Sequence, residues 1–190
     1  MKKLIQRSGF AFLFFLGLGV ISTQAQFQVG LGGNYFLPTA EGSRFSDGYP
    51  GGGLTLRYFI SPQLAVGING RFLTKKLADV GGFSGFEVKA QSIAPGLQAE
   101  FFLTKSAIKP YVGIEGNYFM TKTNGSYQGE EYNYTDNSFG VAPKLGTQFM
   151  FSPTFGLDVN AGYHFLLKDK DSEPEQAIML GAGLVFKFGE

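Results

Sequence analysis

From Gln26 onward, apolar and polar residues alternate with a period of two, the mark of strands whose two faces meet different surroundings. Eight such runs can be read, over 27–37, 54–60, 64–72, 93–103, 112–120, 139–151, 155–165 and 178–188. The first sets Phe27, Val29, Leu31, Gly33, Tyr35 and Leu37 against Gln28, Gly30, Gly32 and Asn34. Runs of about ten residues match a tilted strand crossing a bilayer. No stretch after Gln26 approaches the ~20 consecutive apolar residues of a membrane helix. The pattern predicts an all-β fold, an eight-stranded antiparallel up-and-down transmembrane β-barrel.

Charge decides which face is which. Arg57, Arg71, Glu100, Glu115, Lys144, Asp158 and Lys187 fall inside the runs, and all seven share the phase of the polar residues. A Lys or Arg facing the middle of a membrane costs ~2–4 kcal/mol, so lipid would enforce this segregation. A soluble barrel would turn the apolar phase inward and show a charge-rich outside. Here the polar phase is glycine-rich and carries few charges, as a narrow interior demands. The apolar phase is therefore expected to face lipid. Aromatic residues near the run ends, among them Tyr35, Phe72, Phe101, Tyr118 and Phe165, would form girdles at the headgroups.

The connections alternate in length. Ser61-Pro62-Gln63, residues 104–109 and Ser152-Pro153-Thr154 are short, whereas 38–53, 74–89, 121–138 and 168–176 are longer and polar. Short periplasmic turns and longer extracellular loops are the layout of an outer-membrane barrel. Segment 66–72 echoes 112–118, and 93–97 echoes 141–145, which puts Arg57 and Glu100 at matching heights, each four residues before its short turn. Pro95 and Pro143 have no N–H to donate, so a bulge or loosened pairing is expected beside them.

The segment before Gln26 reads as an address. Lys2, Lys3 and Arg7 precede an apolar stretch over 10–21 and the small-x-small end Thr23-Gln24-Ala25, the pattern of a secretory signal peptide over 1–25. The domain would then occupy 26–190, with 13 basic against 15 acidic side chains. Zero Cys excludes disulfides, thiol nucleophiles and lipidated cysteine, and a single His excludes a multi-His metal site. The near-neutral charge speaks against nucleic acid. The 28 glycines, with 21 Phe and 9 Tyr, are too many for a helical bundle and too aromatic for disorder.

Eight strands leave an interior just wide enough for side chains to fill. The seven charged residues above are expected to form an internal ion-pair network, four positive and three negative, because unpaired charge there would be heavily penalised. That favours a plug; the alternative is a low-conductance pore or an accessory to transport. His164 shares the inward phase with no Ser two positions away, so a lipid-modifying enzyme is disfavoured and the chain is expected to be non-catalytic. Asp169, Asp171, Glu173 and Glu175 sit beside Lys168, Lys170 and Pro174, which fits a solvated loop better than a calcium site. No cofactor or metal is expected. Contacts would be made by the outer loops, above all 121–138, where Tyr127, Tyr132 and Tyr134 offer area and a hydroxyl at little entropic cost. The extracellular ligand is left open.

With these features the chain resembles the small eight-stranded outer-membrane barrels of the OmpA/OmpX type, over 26–188. It is most similar to the outer membrane protein beta-barrel domain group of Bacteroidota. In the last run Gly183, Phe186 and Phe188 fit the G-x-x-aromatic-x-aromatic part of the signal read by the barrel-assembly machinery, although Gly181 replaces a usual polar residue and Gly189-Glu190 follow the final Phe. The resemblance implies location in the cell outer membrane, contact with its lipid and lipopolysaccharide, and assembly by that machinery.

Overall fold

The computed structural model describes residues 26–39, 48–78, 87–127, 130–167 and 175–189. The segment expected to be a signal peptide, over 1–25, and Asp169, Asp171 and Glu173 of the expected acidic loop lie outside these residues. Eight strands follow one another around a closed barrel: β1 (Gln26–Pro38), β2 (Tyr49–Phe59), β3 (Leu64–Ala78), β4 (Glu87–Phe102), β5 (Ile108–Tyr127), β6 (Glu130–Met150), β7 (Phe155–Leu167) and β8 (Glu175–Phe188). Each pairs antiparallel with the next, and β8 closes on β1 from Phe27↔Phe188 to Pro38↔Ala177. Closure leaves the membrane-spanning part of the sheet without an open edge, which a bilayer requires because no water is there to satisfy free N–H and C=O groups.

The phase read from the sequence holds around the barrel. Leu31, Leu97 and Leu145 point outward and are more than 60% exposed, while Arg57, Glu100 and Glu115 point inward and are at most 2% exposed. Two of the short turns share one chemistry. Ser61 Oγ accepts the backbone N–H of Leu64 at 3.1 Å, and Ser152 Oγ accepts that of Phe155 at 3.0 Å, each Ser–Pro pair closing a tight reversal. In the third, Thr104 Oγ1 donates to the Ile108 carbonyl at 2.6 Å.

At the opposite rim the structure departs from the expected loops. Residues 121–138 are not a loop: β5 and β6 stay paired from Thr121↔Asp136 out to Tyr127↔Glu130. Likewise Thr74–Ala78 pairs with Glu87–Gln91. Since β2 leaves β3 at Leu73 and β7 leaves β6 at Phe139, strands β3 to β6 rise as a four-stranded wall past their neighbours. The physical reason is composition. Thr121, Thr123, Thr135, Tyr132 and Tyr134 are β-branched or aromatic and favour an extended chain, whatever their polarity.

The prolines loosen the sheet without a bulge. Pairing of β4 with β5 runs to Ile93↔Met120 and resumes at Gly96↔Asn117, omitting Pro95 but keeping register. The β6–β7 ladder likewise omits Ala142 and Pro143 between Val141↔Phe165 and Lys144↔Gly162. Each proline still pairs on its other side, as Gly70↔Pro95 and Ile114↔Pro143.

Candidate functional site

Two regions carry chemistry: the barrel interior and the wall. Inside, each of β2 to β7 supplies one charged side chain, in order Arg57, Arg71, Glu100, Glu115, Lys144 and Asp158. Arg57 is the hub. Its Nε lies 2.5 Å from Glu100 Oε2, and its Nη2 donates to Glu100 Oε1 at 3.2 Å and to Asp158 Oδ2 at 3.1 Å. Lys144 Nζ bridges Glu100 at 3.0 Å and Glu115 at 3.6 Å, and Arg71 Nη2 meets Glu115 Oε2 at 2.8 Å.

Three cations thus face three anions. Lys187 is the exception to the expected membership, since no ion pair among the described residues includes it; it sits near the end of β8, half-buried. The six-member set is neutral without it. Neutral donors complete the shell around Asp158, from Tyr111 (3.0 Å), Gln148 (3.0 Å) and Asn160 (2.7 Å). Buried charge is tolerated when paired and hydrogen-bonded in this manner.

The ionic layer lies between two apolar seals that the sequence reading did not anticipate. At the short-turn end Phe59, Phe102 and Tyr111 pack with Ala65, ring centroids 5.3 and 5.0 Å apart. At the wall end Phe36, Phe119, Leu73, Leu166 and Met179 pack together, Phe36 and Phe119 at 5.5 Å. A signal was available: the doublets Tyr35-Phe36, Tyr58-Phe59, Phe101-Phe102 and Tyr118-Phe119. In an alternating strand one ring of each doublet must face the girdle and the other the interior.

His164 is fully buried under the upper seal, its ring 6.1 Å from Phe36 and 5.7 Å from Phe119. Its Nε2 comes within 3.1 Å of Glu115 Oε1 but outside hydrogen-bonding geometry. A cavity of about 40 Å³ remains beside Gly30, Gly32, Arg57 and Asp158. At ~10–15 Å³ per water such a space holds a few waters and no solute. In planar bilayers the purified barrel is therefore expected to show no steady ohmic conductance. A large, stable current step would mean that the seals and the ionic layer part together.

The strands that close the barrel are lined differently. Gly32 and Gly183 face each other across β1 and β8, and a Cβ on either would come within 2.4–2.6 Å of the opposite backbone. Of the residues expected to signal assembly, Gly183 thus sits in the close approach of the first and last strands. Phe186 and Phe188 point outward, 40% and 56% exposed.

On the wall, Tyr132 and Tyr134 are 57% and 66% exposed, and they share the face that continues the barrel interior. They stand across from Gly125 and Thr123, so little shields the rings. The Tyr127 side chain lies outside the described residues. Among the described residues no group of three or more His, Asp or Glu side chains is arranged to hold a metal.

The family model described as outer membrane protein beta-barrel domain matches residues 8–188. Solved structures are similar in fold. One is Ail, the attachment invasion locus protein of Yersinia pestis, in complex with the heparin analogue sucrose octasulfate: TM-score 0.63, 14% identity, 87% of this chain and 99% of that one covered. Neisserial surface protein A follows with TM-score 0.62, 20% identity and coverage of 85% and 97%. OprG of Pseudomonas aeruginosa gives TM-score 0.62, 13% identity and coverage of 88% and 98%. No curated protein matches the chain in sequence.

Proposed function

Because the chain belongs to the outer membrane protein beta-barrel domain family, and its place is the cell outer membrane, we propose that it is a non-catalytic surface-contact protein that presents the β3–β6 wall to the exterior. The barrel serves as its anchor. The observation that carries this reading is the wall itself: paired strands raised past the rim, with Tyr132 and Tyr134 exposed and side by side on one face. Among the described residues the β6–β7 ladder ends at Phe139↔Leu167, while the β5–β6 ladder continues to Tyr127↔Glu130. Exposed tyrosines offer area and a hydroxyl at little entropic cost, which suits surface recognition. The aromatic clusters at both ends of the ionic layer favour a plug over a passage, and the packing of His164 against Phe36 and Phe119 favours a structural role for it. Export by a signal peptide over 1–25 and assembly through the last strand are part of the same proposal.

The test is to replace 122–135 by an Asn-Gly turn, which removes the outer part of the β5–β6 hairpin and leaves the barrel zone intact. Cells bearing the trimmed protein are expected to lose at least tenfold in adhesion to a panel of immobilised glycans and matrix proteins. Outer-membrane level and heat-modifiable gel migration should not change. Equal adhesion by cells with the trimmed and the intact protein would sink the proposal.

A further inference from the structure

The rim at the short turns carries two cations that the ionic layer does not use. Lys187 on β8 stands directly across from Gln28 on β1, and Lys109 on β5 directly across from Gln148 on β6. Gln28 and Gln148 in turn exchange hydrogen bonds of 3.1 and 2.8 Å across the lumen. Both lysines share the inward phase of these glutamines, so their ammonium groups stand over one floor of paired amides. The charge that acts on Lys109 there is that of Lys187.

Nothing anionic among the described residues answers them. Both side chains are half-buried, and neither ammonium makes an ion pair or a hydrogen bond among the described residues. Glu100, Glu115 and Asp158 are matched by Arg57, Arg71 and Lys144, and Glu87, Glu130, Glu131, Asp136 and Glu175 belong to the opposite rim. Two like charges held together beside a low-dielectric interior repel more strongly than in bulk water. Water at the rim makes this tolerable, and an anion seated between them would turn one repulsion into two attractions. The rings that close this end come from β2, β4 and β5, and Gly156 of β7 adds no side chain, which leaves room beside the lysines.

We infer that Lys109 and Lys187 form a binding site for a dianionic phosphoryl group on a water-soluble molecule, reached from the short-turn side of the barrel. Two unmatched cations call for two negative charges. A phosphate monoester carries about −1.5 to −2 near neutral pH, with three oxygens to share between two ammonium groups, whereas a carboxylate carries one charge. Lysine suits this task as a point charge on a flexible stem. A soluble carrier is favoured over a lipid headgroup, because the neighbours that face lipid at this level are Ile108, Phe186 and Phe188, while the lysines share the inward phase. The site is separate from the β3–β6 wall, and the surface-contact role can fail without it.

The test uses the full-length barrel folded in maltoside micelles, at neutral pH and low ionic strength, with glycerol 3-phosphate followed by phosphorus NMR line width. The wild type is expected to broaden this signal saturably. Inorganic phosphate should compete, and the monoanion dimethyl phosphate should bind at least tenfold more weakly. K109Q/K187Q should bind glycerol 3-phosphate at least tenfold more weakly while keeping heat-modifiable migration. Lys187→Glu, which places a carboxylate beside Lys109 and removes the repulsion, should show the same loss. K105Q, on the exposed turn of the same rim, should bind like the wild type. No saturable broadening in the wild type, undiminished binding in K109Q/K187Q or K187E, an equal loss in K105Q, or equal affinity for dimethyl phosphate overturns the inference. So does displacement by phosphatidic acid added to the micelles, since the ligand would then be a lipid headgroup. Tenfold tighter binding by E190Q also overturns it, because a carboxylate of the chain itself would then hold the site.

Discussion

Arg57→Met is expected to destabilise the folded barrel by about 3–5 kcal/mol, the cost of stranding buried charge by removing its partner. The guanidinium holds Glu100 through two nitrogens and Asp158 through one, and all three side chains are almost fully buried. Without it, two carboxylates keep only Lys144 and neutral donors. Against the ~5–15 kcal/mol of a typical domain this is a large fraction. Urea titration in lipid vesicles, read by the heat-modifiable gel shift, measures it. The companion variant R57M/E100Q/D158N should regain most of the loss, because it removes the orphaned charges along with their partner. A single-variant loss below about 1 kcal/mol would show that water reaches these groups and that the seals do not close the interior.

The second large effect lies on the other face. Leu97 is 68% exposed in the middle of the apolar belt, between Ile68 and Gly116 on the flanking strands. Leu97→Arg is expected to cost ~2–4 kcal/mol in the same vesicle titration, the penalty for a cation facing mid-bilayer. Thr135→Arg, with the same phase but high on the wall, should stay within ~0.5 kcal/mol, as exposed substitutions usually do. Were both changes neutral, the outer face could not be resting in hydrocarbon.

The sequence carries the barrel almost entirely, because a bilayer makes each face choose one chemistry. Leu97 and Gln98, adjacent in the chain, face lipid and lumen, and period-two reading separates them without a structure. The pairing of Arg57 with Glu100 was also foreshadowed by their equal distance from short turns. What stayed hidden has a common cause: polarity along the chain tracks neither burial nor secondary structure away from the middle of the membrane. Phe102 and Phe119 are apolar yet point inward, because the ends of a narrow lumen can be closed by rings as well as by charges. The 121–138 segment is polar yet extended, because above the membrane hydrogen-bonded strands need no greasy face. Lys187 shares the inward phase but lies too near the rim to need a partner, since water can solvate an ammonium there.

The placement of charge around the interior bears on how the cylinder is completed. All six ionic members belong to strands between the second and the seventh, and Arg57 reaches Asp158 across 101 positions of chain. The first and last strands bring glycines such as Gly32 and Gly183 to their shared seam. A curled sheet of six strands can consequently neutralise itself before its two outermost strands meet. The final zipper then joins backbone to backbone, with Lys187 near the rim of β8 the one inward-phase charge that the seam itself carries among the described residues.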